Sequence, residues 1–348
     1  MKLSYEGLKD KEAWRKAGAA LPEYDWKAMC EATKKAPVWV HFGAGNIFRG
    51  FIAGLQQRLL NQGLAKSGIV AAETFDYDII DKIYWPHDSM TLMVSLRPDG
   101  STEKEVIASI AQGVKADSSD KEQWETLKKI FENPALQMAS FTITEKGYAV
   151  TDAKGNVLPA IAADFEKGPA APDSYLGKVV SLLYHRYQNG RLPLAMVSMD
   201  NCFHNGDKLF AAVSAFAKAW CEKGLAEKEF MDYVTDRSKV SFPWTMIDKI
   251  TPRPDAKVEA MLAADGIEEL EPVITSKNTY IAPFVNAEEC EYLVIEDAFP
   301  AGRLPLEEGG IIYTDRETVD KVEKMKVCTC LNPLHTALAI FGCLLGYT

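Results

Sequence analysis

The residues most able to do chemistry begin at Gly43. Val38-Trp39-Val40-His41-Phe42 leads into Gly43-Ala44-Gly45-Asn46-Ile47-Phe48-Arg49-Gly50, and Phe51 to Leu60 follows. This reads as a buried strand, a glycine-dense turn and an amphipathic helix, the order that a nucleotide pyrophosphate needs. Glycines let the backbone approach phosphate oxygens, and a helix N-terminus offers free N–H groups and a partial positive charge. The spacing is G-x-G-x-x-x-x-G, with Phe48 where the third glycine of G-x-G-x-x-G would fall. Gly43, Gly45, Asn46, Ile47 and Phe48 are the candidate cofactor contacts of this turn. Downstream, the short strand Gly68 to Ala72 closes on Glu73. An acid at the end of a second strand accepts hydrogen bonds from the adenosine ribose and repels a 2′-phosphate, so Glu73 favours NAD over NADP. Asp76 is the alternative acid.

The elements that position these residues follow from periodicity. Tyr24 to Lys35 is helix-prone. Ile47, Phe51, Leu55 and Leu59 recur every four residues as one buried helix face, which ends at Asn61-Gln62-Gly63. Strand, helix and strand make a βαβ unit with a right-handed crossover. Thr91 to Leu96 and Glu105 to Ile110 flank Arg97-Pro98-Asp99-Gly100-Ser101, a hairpin inserted in the α/β order. A helix is expected from Ser119 to Phe131, then a strand from Gln137 to Thr144 ending at Glu145-Lys146-Gly147-Tyr148. Residues 160–173 read as a loop rich in alanine and proline, and Ser174 to Tyr187 as a helix. Pro193 to Met199 suits a central parallel strand, broken at Asp200-Asn201, with a helix from Asp207 to Cys221. Pro272 to Pro300 is strand-rich, and helical pattern resumes at Asp315. Ligands of open α/β sheets bind beyond the carboxyl ends of the strands, so a site built from these strand ends is the natural expectation.

Composition sets the outer bounds. The 348 residues, 47% hydrophobic and 25% charged, suit one large or two ordinary globular domains. A formal net charge of −10 argues against a nucleic-acid partner held through phosphates. Seven cysteines lack framework spacing, the N-terminus has no apolar h-region, and no apolar run reads as a bilayer span. A reduced, cytoplasmic setting without membrane association is the expectation. Cys328-Thr329-Cys330 lacks the second half of a zinc site and reads as structural.

Four stretches together resemble the mannitol dehydrogenase family, the polyol-specific long-chain dehydrogenases, which include hexuronate reductases. They are Val40 to Gly50, Thr142-Ile143-Thr144-Glu145-Lys146-Gly147-Tyr148, Ser198-Met199-Asp200-Asn201 with His204-Asn205-Gly206, and Phe242-Pro243 through Asp248 to Pro252. A fifth, Glu323-Lys324-Met325-Lys326 through Leu331-Asn332-Pro333-Leu334-His335, looks like the family's catalytic segment. The resemblance implies a Rossmann-like domain with inserted strands over residues 1–316, then the start of a helical substrate domain over 317–348. Val294 to Arg303 looks more like the uronate reductases, which implies interconversion of D-mannonate and D-fructuronate with NAD and without metal. Tagaturonate reduction and mannitol 2-oxidation are the near alternatives.

Such a reaction removes a hydroxyl proton while hydride leaves the same carbon. The five histidines show no zinc-ligand spacing, and the one Tyr-x-x-x-Lys match, Tyr5 to Lys9, precedes the first strand. A buried lysine remains, because desolvation lowers its pKa toward working pH. The family match assigns Lys326 as that base, with Asn201 and Asn332 donating to the developing alkoxide. His335 shares a helical face with Asn332 and binds substrate oxygen. Asp248 holds a substrate hydroxyl or orients the site, Glu323 tunes Lys326 or relays its proton, and Thr144 and Asn201 touch the cofactor. Lys249, Arg253 and Arg303 are the candidates for a substrate carboxylate.

Three departures carry expectations of their own. The family spaces its lysine and asparagine by four residues, and here Val327 to Leu331 make five. One extra residue turns a helix by about 100°, so the segment bulges, starts its helix after Lys326, or uses Lys324 instead. Trp244 replaces an asparagine often found after phenylalanine–proline. Family members continue into a helical domain beyond the histidine, whereas this sequence ends at Thr348 after an apolar helix. That suggests an incomplete fold that binds NAD but turns over poorly. The competing readings are a dinucleotide-binding protein without catalysis and a methyltransferase using the same turn for an adenosyl group. The oligomeric state stays open.

Overall fold

A computed structural model describes residues 1–347, without the side chains of Val327 and Asn332. The chain begins with α1 (Lys11–Lys16), β1 (Ala19–Ala20) and α2 (Trp26–Lys35), then enters β2 (Trp39–Phe42). After the glycine turn come a π-helical segment (Phe48–Ile52), α3 (Ala53–Asn61) and β3 (Ile69–Glu73). β4 (Thr91–Leu96), β5 (Thr102–Ile107), β6 (Ile110–Lys115), α4 (Lys121–Glu132) and β7 (Met138–Phe141) follow. Next are α5 (Pro159–Lys167), α6 (Tyr175–Gln188), β8 (Leu194–Ser198), α7 (Asn205–Glu222) and α8 (Lys228–Thr235). Short strands then dominate: β9 (Val240–Ser241) and β10 (Thr245–Lys249), then α9 (Ala256–Ala264), β11 (Val273–Ile274) and β12 (Tyr280–Ile281). The chain closes with β13 (Phe284–Glu288), β14 (Glu291–Glu296), β15 (Ile312–Thr314), α10 (Arg316–Lys324), a π-helical segment (Met325–Leu331) and α11 (Asn332–Leu344).

Six strands form one parallel sheet in the order β6-β3-β2-β7-β8-β9. The continuous apolar runs of β2, β3 and β8 are buried on both faces, as a doubly covered parallel sheet requires. One face packs Val40, Phe42, Phe141 and Met196 against the helices α4, α6, α7 and α8. The other packs Trp39, Ala71 and Val197 against the helix after the glycine turn and the segment around Ile80. β4 and β5 are the expected antiparallel hairpin, set in a separate sheet, β1-β5-β4-β13. A third sheet, β10-β14-β15, carries α10.

Several expectations need correction. The stretch Glu105 to Ile110 is two strands, because β5 ends at Ile107 and Ile110 opens β6 in the parallel sheet. The crossing has no glycine or proline; it is held from outside, where the Ser109 carbonyl accepts from Ile69 N and the Ser109 hydroxyl donates to Ala53 O. Residues 160–173 are not all loop: α5 starts at Pro159, where a missing N–H costs nothing, and buries Ile161 and Asp164. The helix after the glycine turn starts in π form, a departure that side-chain periodicity does not register. The apolar C-terminal stretch is also longer than its polar residues suggested. The continuous helix Arg316–Leu344 has an 18-residue window of mean hydropathy 1.5, long and apolar enough by composition to cross a membrane. Asn332, His335 and two threonines mask a run, Val327 to Leu344, that carries no Asp, Glu, Lys or Arg.

Candidate active site

Gly43 is the residue the turn cannot replace. Its φ is +112°, and a Cβ there would lie 2.3 Å from the Thr142 carbonyl oxygen of the neighbouring strand end. At Gly45 a Cβ would meet no heavy atom within 4 Å, so the space over the turn is open. Phe48 points into the core and stacks on His41 at 4.0 Å between centroids, which leaves only its backbone to face a ligand. Asn46 accepts from Arg49 (2.7 Å) and donates to the Pro252 carbonyl (3.3 Å).

Glu73 sits where expected, at the end of β3, but its bonds differ from those foreseen. One carboxylate oxygen accepts from Ala44 N (2.9 Å), and the other from the amides of Thr74, Phe75 and Asp76 (3.0, 2.9 and 3.1 Å). A carboxylate offers about four acceptor sites, and backbone amides take them here. Glu73 therefore pins the glycine turn to the loop after β3 and leaves a fixed negative charge at that strand end. Asp76 is buried and accepts from the hydroxyls of Thr275 (2.6 Å) and Thr279 (2.5 Å), so it turns away from the turn.

β10 ties the strand ends together. Its first residue, Thr245, donates its hydroxyl to Ser198 O at the end of β8 (2.7 Å). Asn205 clamps the same junction: its amide nitrogen reaches Asp200 O, Thr245 O and the Thr245 hydroxyl, while its oxygen accepts from Thr245 N. Beyond its other end, Pro252 meets Asn46 of the glycine turn. β10 thus spans the carboxyl edge of the parallel sheet from β8 to β2, with Asp248 midway, paired in register with Tyr292 of β14. Lys326 arrives from the π-helical segment and is 7% exposed. Its Nζ lies 2.8 Å from Asp248 Oδ2, 3.4 Å from Ile247 O and 4.9 Å from the centre of the Tyr292 ring. Burial and Asp248 push the Tyr292 phenol up to about 12.

The π-helical segment also answers the spacing of the lysine and asparagine. A π-bulge holds one extra residue within a continuous helix, and it spans Met325–Leu331, the stretch between the two residues. Lys324, the alternative base, is at the surface and bonded to Asp320 (2.5 Å). Glu323 is buried and accepts from His204 N (3.3 Å), and burial raises its carboxyl above the ordinary range. His204 also bonds Asp320 (2.9 Å), and its ring lies between Phe203 and Trp244. His204, Asp320 and Glu323 bring polar atoms within 4.8 Å of one another, a cluster closed by the bonds of His204 to Asp320 and Glu323, and Cys328 and Cys330 are free and exposed. Asn201 is exposed just beyond β8, and His335 is exposed on α11. The Asn332 side chain lies outside the described residues. Of the carboxylate candidates, Lys249 is bound to Glu291 and Glu288 O, and Arg303 to Asp297 and Glu307. Arg253 is exposed.

Asn205 and Asp200 were not foreseen in these roles, although both stood within a motif that was. Asp200 accepts from Ile143 N, Thr144 N and the Tyr148 hydroxyl, and so joins the ends of β7 and β8.

Known proteins are similar to this chain in sequence and fold. A family profile described as the mannitol dehydrogenase Rossmann domain matches residues 37–308. D-mannonate oxidoreductase of Thermotoga maritima is 51% identical over 349 aligned residues, covering 100% of this chain and 64% of that protein. Polyol:NADP oxidoreductase of Gluconobacter oxydans is 28% identical, covering 95% and 62%. The structure of Pseudomonas fluorescens mannitol 2-dehydrogenase, a ternary complex with NAD and D-mannitol, superposes with a TM-score of 0.77 at 28% identity, covering 100% of this chain and 64% of that one. The chain spans just under two thirds of the length of these relatives.

Proposed function

The chain belongs to the mannitol dehydrogenase family, and from that premise we propose that it is an NAD-dependent oxidoreductase interconverting D-mannonate and D-fructuronate. The observation that carries the reading is buried Lys326 paired with the half-exposed Asp248 of β10, the strand that bridges the end of β8 and the glycine turn. The 51% identity to a D-mannonate oxidoreductase supports the sugar-acid pair over mannitol, and tagaturonate is the nearest alternative substrate.

The glycine turn fits a dinucleotide. Open space over Gly45, the close approach at Gly43 and the amides opening the following helix suit a pyrophosphate. Gly43, Gly45, Asn46, Ile47 and the Phe48 backbone would hold it, with Thr144 and Asn201 toward the nicotinamide end. The charge fixed at Glu73 disfavours a 2′-phosphate. Bound there, the nicotinamide supplies the hydride acceptor or donor.

The remaining chemistry falls to side chains. Lys326 Nζ takes the hydroxyl proton in oxidation and returns it to the carbonyl oxygen in reduction, and Asp248 orients the ammonium. Asn201, Asn332 and His335 donate to the substrate oxygen as it gains charge. Glu323, three residues before Lys326, passes the proton toward solvent.

The test is NADH oxidation with fructuronate, tagaturonate and fructose, run beside Lys326→Ala. Turnover with fructuronate that falls about 10²–10⁴-fold in the variant, with NADH binding retained, is expected. Equal rates in the variant would remove Lys326 as base, and a preference for fructose would overturn the sugar-acid assignment. NADH binding with no turnover on any substrate would leave the binding-only reading.

A further inference from the structure

Thr144 stands beyond the carboxyl end of β7 with φ 65° and ψ 161°. A β-branched residue rarely adopts positive φ, since its side chain crowds the backbone there. Such a conformation persists only where surrounding bonds over-determine it.

Those bonds come from one carboxylate just beyond the end of β8. Asp200 Oδ2 accepts from Ile143 N (2.9 Å) and Oδ1 from Thr144 N (2.9 Å). The Tyr148 hydroxyl, 2.6 Å from Oδ2, closes the turn from its far side and also meets the Ser198 hydroxyl at 2.7 Å. Asp200 is itself fixed, because its carbonyl accepts from the Asn205 side chain (3.0 Å) and from Cys202 N (2.9 Å). The clamped segment adjoins the glycine turn, since Thr142 N donates to Phe42 O and the Thr142 carbonyl is the atom that forces glycine at position 43.

We propose that Asp200 is a positioning residue for the dinucleotide: by accepting from both amides it holds Thr144 in its left-handed conformation and so shapes the β7 wall of the cofactor cleft. The inference rests on the dinucleotide reading above. Without the carboxylate, the Ile143–Thr144 peptide relaxes toward extended backbone and the wall beside Gly43 changes shape. An asparagine at 200 puts an NH2 donor where one of the two oxygens stands, so one of the two amides faces a donor and loses its acceptor.

Glycine supplies the decisive test, because it takes positive φ without steric cost. NADH dissociation constants are measured by fluorescence titration for the unaltered chain, Asp200→Asn, and Asp200→Asn with Thr144→Gly. The single variant is expected to bind NADH about tenfold more weakly, on the scale of one charge-assisted hydrogen bond. The double variant is expected to recover most of that loss, which a carboxylate needed only for folding would not allow. Unchanged binding in Asp200→Asn, or a double variant no tighter than the single, overturns the proposal. Failure of the unaltered chain to bind NADH overturns the dinucleotide reading and this inference with it. If circular dichroism shows that Asp200→Asn does not fold, Asp200→Glu replaces it. That variant keeps the charge but displaces it by one methylene, and the same pair of results is expected.

Discussion

A buried lysine beside a half-exposed carboxylate is what the proposed chemistry turns on; both residues stood in family motifs, and what could not be read before folding is that they pair. Lys326 emerged from its match to a family segment, and nothing in its local sequence announces burial. Asp248 was expected to hold a substrate hydroxyl or orient the site, and its carboxylate lies 2.8 Å from Lys326 Nζ. Glu73 shows the reverse case: its position was legible, but its bonds to four backbone amides depend on a loop whose shape no spacing encodes. Glu323 yields a prediction at this scale. Burial raises its carboxyl above the ordinary value, offset in part by the His204 amide. The folded state then favours the protonated form, so Glu323 contributes stability that is complete below the unfolded pKa, near 4.3, and lost as pH rises through the higher folded value. Glu323→Gln should therefore gain on the unaltered chain as pH climbs from about 4.5, measured by urea denaturation across that range. An advantage that shrinks with rising pH would contradict the assignment.

At the scale of elements, the parallel strands were legible because burial on both faces leaves long apolar runs. The bridging role of β10 was not, since Thr245 to Lys249 is short and its meaning lies in what its two ends touch. Asn205 makes that connection, answering Ser198 and Asp200 on one side and Thr245 on the other. Removing it takes the acceptor from Thr245 N and a donor from Thr245 O, while Ser198 O keeps the Thr245 hydroxyl and Asp200 O keeps Cys202 N; each unpartnered buried group costs about 1–3 kcal/mol. Asn205→Ala should lower stability by roughly 2–4 kcal/mol, with relaxation absorbing part of the sum, as read from the urea midpoint at constant slope. Asn205→Asp is the sharper variant. It keeps an acceptor for Thr245 N but turns its second oxygen toward the carbonyl oxygens of Ser198, Asp200 and Thr245, so it should be no more stable than the alanine. Stability near that of the unaltered chain in both would mean that other contacts hold β10 in place. The π-helical segments Phe48–Ile52 and Met325–Leu331 belong to this scale as well. Each adds a residue without shifting the apolar pattern on either side, so neither had a periodic signature, although the extra residue before Asn332 was a countable hint of the second.

For the whole molecule, the parallel sheet and its two covered faces form a closed core, and the last helix stands apart from it. Leu338, Phe341, Leu344 and Leu345 are 71%, 61%, 75% and 73% exposed, on a helix that continues α10 beyond Lys326. Large apolar side chains concentrated on one element seek cover, and in water the cover at hand is a second surface of the same kind. The helix also carries Asn332 and His335, which the family resemblance places at the substrate, so its position bears on the proposed chemistry as well as on solubility. The 348-residue chain should therefore self-associate as its concentration rises, seen as a mass by light scattering above the 38.6 kDa of one chain. Leu338→Glu with Phe341→Glu puts two like charges three residues apart on this helix, where they repel each other as well as any apolar partner. That pair should return the scattering mass to a single chain while leaving thermal unfolding of the parallel-sheet core in place, because neither side chain is buried in it. Association that persists unchanged in the double variant would place the contact elsewhere. A core that melts earlier in that variant would mean that α11 packs back onto the sheet in solution.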